Sequence, residues 1–250
     1  LHYVVIGGWL PEFIENKKRL QKNLKKFDGI YVETNTMKVN MEKLGFSNIY
    51  ILPNCKELKI LKENELAYAT SKPFKLCTFS RVMKEKGIED AVNAVEEINK
   101  KYGETIFTLD IYGQIDSMQT EWFELLQSRF SKDISYKGLV PFDKSTDILK
   151  NYYALLFPTR FYTEGIPGTI IDAYASGVPV ISAKWESFND LVNEKIVGYG
   201  YTFGNYNELI KCLSIAMENS YKWNQMKKNC LVQAEKYSAR YVLNRLIEKL

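Results

Sequence analysis

The sequence predicts an α/β protein: a doubly wound parallel sheet preceded by part of a second, similar unit. Two observations carry this. Short apolar runs alternate with amphipathic stretches along the whole chain, a pattern that folds into parallel strands covered by helices on both faces. Polar, glycine-bearing turns recur at the downstream ends of those apolar runs, where open α/β sheets bind their ligands.

The elements follow in order. "HYVVIGG" (2–8) reads as a strand and 11–27 as a helix, with Phe13, Leu20, Leu24 and Phe27 on one stripe. "GIYVE" (29–33) is a strand, 35–44 a short helix and "NIYIL" (48–52) a strand. Residues 53–73 are polar, mixed and bounded by prolines, as a linker is. The second series opens with strand 75–80 and helix 87–101. It continues with strand 105–113, helix 119–130, strand 134–138 and helix 143–151. Strand 153–158, helix 168–176, strand 178–182, helix 186–193 and strand 197–203 come next, and helices fill 205–219, 221–236 and 239–250. The loops after Ser80, Tyr112, Gly138, Pro158 and Ser182 are expected to share one rim. The first series, at about 52 residues, is short of the usual ~100-residue domain. It reads as the tail of a domain, and the chain opens on Leu1. The expected division is 1–58, a linker 59–74, and 75–250, with the last helix packing back on the first part.

Composition narrows the function classes. With 46% apolar and 26% charged residues the chain is globular. A net charge of +4 over 34 basic and 30 acidic residues is too even to argue for nucleic acid. Four cysteines without a C-x-x-C pair point to a reducing, cytoplasmic setting. His2 is the one histidine; it excludes a histidine-rich metal site and disfavours Ser-His or Cys-His machinery, and it reads as a strand-end residue. Chemistry is left to carboxylates, Lys and Arg.

Two stretches carry that chemistry. In "YTEGIPGTIIDAYASGVPVI" (162–181), Glu164 lies on a Gly/Pro-rich loop and Asp172 one turn inside the following helix. Gly165 and Gly168 are expected to allow positive φ, and the helix start through Thr169 offers amide hydrogens to an anion. An acid favoured by the helix dipole explains Asp172 equally well, but not Glu164. In "SRVMKEKG" (80–87), Arg81 and Lys86 flank a helix start, as a diphosphate requires; a solvated basic loop is the plainer reading of that stretch alone. Gly113 reads as a strand-end turn near the same rim, and Tyr152, Tyr153, Phe157 and Phe161 as core.

Together these motifs resemble the glycosyltransferases of family 4. Their C-terminal domain carries R-x4-K-G, then E-x7-E, then A-x-A-x-G-x-P-V; here stand Arg81, Lys86-Gly87, Glu164, Asp172 and "AYASGVPVIS". The resemblance covers roughly 75–250, with 1–58 similar to the last part of the N-terminal domain. It implies the GT-B architecture: a Rossmann-like C-terminal domain with a partial second Rossmann-like domain. It further implies a retaining, metal-independent transfer of a hexose from a UDP- or GDP-sugar to a glycan or lipid-linked acceptor, in surface polysaccharide synthesis. By position, Arg81 and Lys86 would hold the diphosphate, Glu164 the sugar hydroxyls and Asp172 the ribose, with Leu139 and Val140 at the base. Ser80, Gly113, Gly165, Ile166, Pro167, Gly168 and Thr169 complete the donor site.

Three departures stand out. Asp172 is one methylene shorter than the usual Glu, Ser80 stands where Gly is common, and Gly7-Gly8 occupy the region of the family's histidine, so no catalytic histidine carries over. The fragment is accordingly expected to bind donor, with turnover depending on what is absent. Two other classes fit the same architecture: a nucleotide-sugar epimerase, and a non-catalytic nucleotide-sugar-binding module. The lysines of 11–27 suggest contact with the inner membrane surface, against a solvated face as the plainer reading.

Overall fold

The computed structural model describes residues 1–57 and 59–247, without the Arg245 side chain. The outer edges of two expectations, Leu58 at the end of the first division and 248–250 in the last helix, lie outside the described residues.

Two parallel sheets form, each with flanking helices. The first contains β1 (His2–Val4), β2 (Gly29–Val32) and β3 (Ile49–Ile51) in that order. Its helices are α1 (Leu10–Ile14), α2 (Lys18–Leu24) and α3 (Asn35–Lys43). Thr34 caps α3 by accepting from the Met37 amide, satisfying one of the donors a helix start leaves free. Val5, Ile14, Ile30, Met37, Met41 and Phe46 fill a cluster of their own.

The predicted helix 11–27 is a correction: it is two short helices. Gln21 donates to the carbonyls of Ile14 (2.8 Å) and Glu15 (2.8 Å), taking over the acceptors that a continuous helix would use. Lys17 leaves helical geometry at φ −107°, ψ 67°. Phe13 is accordingly not core but sits exposed against Trp9 and beneath the Lys17 ammonium. The basic stripe is confined to seven-residue α2 and its end, and Lys25 is turned onto the protein, donating to the Leu44 carbonyl at 3.0 Å. Residues 11–27 therefore do not form one extended basic amphipathic helix.

The second sheet starts with β4 (Phe74–Phe79), α4 (Ile88–Tyr102), β5 (Phe107–Tyr112), α5 (Thr120–Gln127) and β6 (Ile134–Gly138). It goes on through α6 (Ser145–Leu149), β7 (Ala154–Phe157), α7 (Gly168–Ala175), β8 (Val180–Lys184), α8 (Phe188–Leu191) and β9 (Gly198–Thr202). Three helices close the chain: α9 (Tyr206–Glu218), α10 (Ser220–Glu235) and α11 (Ala239–Ile247). The strand order is β6-β5-β4-β7-β8-β9, all pairs parallel. Residues alternate faces as strand geometry demands: Leu76 and Leu156 enter one cluster, Cys77 and Leu155 the other.

That order places the reversal of direction between β4 and β7. After β6 the chain crosses back and begins the other half of the sheet beside β4. A crevice opens at such a switch point, outside the carboxyl ends of the two strands. The loops leaving β4 and β7 carry the two predicted motifs.

Among its described residues the crossing between the sheets is irregular apart from a 3-10 turn at Glu63–Glu65 and an isolated bridge from Lys56 to Ser238. Its backbone is tied at Lys56, whose N–H donates to the Tyr237 carbonyl and whose carbonyl accepts from the Ala239 N–H. α11 thereby begins alongside the crossing, and its Val242 borders a cavity shared with Tyr31 and Tyr50 of the first sheet. Among the described residues no helix is long and apolar enough to cross a membrane.

Candidate active site

The β4 loop turns through Ser80 and Arg81 into a 3-10 turn at Lys84–Lys86, and Gly87 starts α4. The β7 loop runs from Pro158 to α7. The two loops are in contact: the Arg160 N–H donates to the Glu85 carbonyl at 2.8 Å, and the Arg160 guanidinium forks Asp90 at 3.1 and 2.7 Å.

At their junction the Lys86 ammonium meets Glu164 Oε1 at 2.5 Å, and Thr159 donates to the same oxygen at 2.8 Å. Both charged side chains are largely enclosed, 16% and 14% exposed. The ammonium lies 4.9 Å from the Phe161 ring centroid and 5.7 Å from that of Phe157, so aromatic faces share in holding the cation. Among the described residues Glu164 Oε2 has no hydrogen bond, leaving one acceptor oxygen on a fixed carboxylate.

Behind Glu164 stands Glu33, buried at the end of β2, which accepts from the Ile166 N–H at 2.7 Å. Burial raises the Glu33 carboxyl above its ordinary value; the Ile166 and Gly7 amides oppose this, and the Glu164 charge adds to it. A carboxyl raised in the folded state binds a proton that the unfolded chain has released. Stability is therefore lost as pH climbs above about 4.5 through the folded value. Glu33→Gln is expected to be least favourable relative to wild type near pH 4.5 and more favourable at pH 7. Melting curves of both proteins at the two pH values check this; a constant difference would mean that Glu33 titrates normally.

The neighbouring cavity measures about 420 Å³. Eight predicted residues line it: Ser80, Arg81, Gly113, Leu139, Val140, Gly168, Thr169 and Asp172. Arg81 is 61% exposed, with Nη1 3.7 Å from Asp116 Oδ2, so its guanidinium is loosely held at the mouth. Gly168 and Thr169 are the first residues of α7, whose amide hydrogens have no partner within the helix. The Thr169 hydroxyl is enclosed with no hydrogen-bond partner. The cavity therefore offers amide donors beside a loosely held cation, a setting that favours an anion.

Its carboxylate is Asp172, 5% exposed and paired through Oδ1 with Lys56 Nζ at 2.7 Å. Burial raises the Asp172 carboxyl; the Lys56 hydrogen bond and charge, and then the Ser145 hydroxyl, work against it.

Several expectations are corrected. Lys86 does not line the cavity, because an opposite charge on the adjoining loop holds it. Gly165, Ile166 and Pro167 are not in the lining either. Ile166 spends its N–H on Glu33 and its carbonyl on Asn54 (2.9 Å), so the loop start is no free anion nest. Neither Gly165 nor Gly168 has positive φ. Gly165 is needed for closeness: a Cβ there would lie 1.9 Å from Glu33 Oε2. Tyr152, Tyr153 and Phe157 are buried, matching the core reading.

Lys56, Tyr112, Gln114, Phe142 and Ser145 also line the cavity and were missed, as were Glu33 and Thr159 beside Glu164. Glu33 alone left a signal: an acid that ends a wholly apolar strand. Among the described residues no cluster of three or more His, Cys, Asp or Glu could hold a metal ion.

The sequence profile of a family described as "Glycosyl transferases group 1" matches residues 73–219, more than half of the chain. The chain is 23% identical over 205 residues to an uncharacterized glycosyltransferase of Haemophilus influenzae, covering 81% of this chain and 55% of that protein. It is 34% identical over 112 residues to the UDP-N-acetylglucosamine–peptide N-acetylglucosaminyltransferase GtfA subunit of Streptococcus agalactiae, covering 44% of this chain and 20% of the relative. It spans, that is, about half or less of the curated relatives it matches. The crystal structure of Anabaena HepE in complex with UDP shares the fold at a TM-score of 0.81 and 15% identity, over 100% of this chain and 71% of HepE.

Proposed function

Because the chain belongs to the group 1 glycosyl transferases, we propose that it forms the donor side of a retaining, metal-independent hexosyltransferase of family 4. The donor is a nucleoside diphosphate sugar. The acceptor is a hydroxyl of a glycan or lipid-linked glycan in surface polysaccharide assembly, on the cytoplasmic side. The first sheet is the end of an acceptor-side domain, 1–58, joined through 59–74 to the donor domain, 75–250.

The observation that carries this reading is the cavity at the switch point, with Arg81, the first turn of α7 and Asp172 on its wall and the Lys86–Glu164 pair adjoining it. The proposed division of labour follows the geometry. Arg81 exchanges its weak contact with Asp116 for the diphosphate, and the amide hydrogens of Gly168 and Thr169 share that charge as the bond to the sugar breaks. Glu164, fixed by Lys86 and Thr159, turns its unbonded oxygen to a sugar hydroxyl. Lys86 acts by holding Glu164 and adding positive potential, not by touching phosphate from its present position. Asp172 meets the ribose, and backbone groups of Leu139 and Val140 meet the base. No step requires a metal.

A melting-point panel of UDP, GDP and their hexose conjugates tests the reading, since a ligand of the folded state raises the transition. UDP heads the panel because UDP is bound in the Anabaena HepE structure. The expected outcome is a rise with one nucleotide diphosphate family. Arg81→Ala is expected to weaken that ligand by about 1–3 kcal/mol, the worth of a charged hydrogen bond, in calorimetry. No rise with any nucleotide would end the proposal.

A further inference from the structure

We propose that Lys56 is a specificity residue of the donor site: with Asp172 it forms a donor–acceptor pair that reads the two ribose hydroxyls of the nucleotide. The inference rests on the donor reading above and deepens it.

The argument starts from Asp172. Asp172 has a short side chain, and Lys56 Nζ reaches it at 2.7 Å from Oδ1. The carboxylate is almost wholly enclosed, yet both residues reach the cavity wall. A carboxylate only accepts hydrogen bonds; an ammonium has three donors and no acceptor. Lys56 is ion-paired with Asp172 and its side chain is 31% exposed on the cavity lining, so the ammonium keeps donors for a ligand there. The wall thus presents an acceptor and a donor side by side. Vicinal hydroxyls match that pair: one donates to Asp172 while its neighbour accepts from Lys56.

Lys56 is also fixed where it stands. Its backbone N–H and C=O are both taken by the segment leading into α11, at 3.3 Å to the Tyr237 carbonyl and 3.0 Å from the Ala239 amide. The ammonium therefore projects from a fixed point of the crossing into a cavity built by the other sheet. A site whose buried polar groups are matched to two hydroxyls discriminates against a ligand lacking one, because a group is then left unpaired.

The experiment compares UDP and GDP with their 2′-deoxy and 3′-deoxy forms by calorimetry, on wild type, Lys56→Met and Asp172→Asn. Wild type is expected to prefer the ribonucleotide by about tenfold over each deoxy form, the worth of one good hydrogen bond. Lys56→Met is expected to lose one of the two preferences and Asp172→Asn the other. Lys56→Arg, which keeps donors and charge, is expected to retain both. A tie that merely holds the chain together would weaken all forms equally, so both preferences intact in Lys56→Met overturn the inference. Should that variant bind too weakly to read, Lys56→Leu, which also lacks any donor, gives the deciding ratio. If no nucleotide binds wild type, the donor reading fails, and this inference with it. Binding with unaltered preferences defeats this inference alone.

Discussion

Lys86→Met is expected to lower stability by about 3 kcal/mol, the cost of stranding one member of an enclosed ion pair. The pair is the main charged link between the β4 and β7 loops, and Glu164 would keep only the Thr159 hydroxyl. Removing both charges, as Lys86→Met with Glu164→Gln, is expected to recover most of that loss, since replacing both partners is far less costly than orphaning one. Urea unfolding of the three proteins measures the difference. Nucleotide affinity separates the roles further: it is expected to fall less in Lys86→Met than in Arg81→Ala, because Arg81 lines the cavity and Lys86 does not. Stability of Lys86→Met within about 0.5 kcal/mol of wild type, the range of ordinary surface changes, would mean that the pair does not hold the loops.

Gly87→Ala is expected to cost at least about 3 kcal/mol, summing a left-handed backbone and an overpacked contact. Gly87 adopts φ +68°, and a Cβ would fall 1.9 Å from the Pro158 carbonyl oxygen, an atom of the facing loop with little freedom to retreat. Gly103 supplies the control: its φ is +66°, but a Cβ there meets nothing within 4 Å. Gly103→Ala therefore isolates the backbone term, about 1 kcal/mol. The excess in Gly87→Ala reports how tightly the two motif loops are pressed together. Equal melting-point losses in the two variants would show that the β7 loop yields.

The six-stranded sheet was readable because its signals are local. The central strands are short apolar runs, β7 buried throughout and β4 and β8 nearly so, and the loops at their ends have the polarity that a ligand-facing rim needs. The broken helix was not readable, since Gln21 works through tertiary hydrogen bonds that a periodicity over 11–27 does not encode. The same limit governs the site. Arg81 and Asp172 were placed by motif spacing, while Lys56 lies 116 positions before Asp172 in an irregular crossing, where nothing local marks its direction. Lys86 and Glu164 were each singled out, but their mutual pairing depends on two loops folding face to face.

The boundary between the sheets is polar throughout its named contacts. The Gly8 amide donates to the Thr163 carbonyl, the Ile166 amide to Glu33, the Thr36 amide to Asp190 and Asn40 to Glu186, while Thr34 pairs with Ser187. Among the described residues no buried apolar cluster includes residues from both sides of the crossing. Each of those bonds has water as a ready substitute. Apart from the α11 side, where Val242 faces Tyr31 and Tyr50, parting the halves would wet mainly polar groups, which carries a smaller hydrophobic penalty than opening an apolar core.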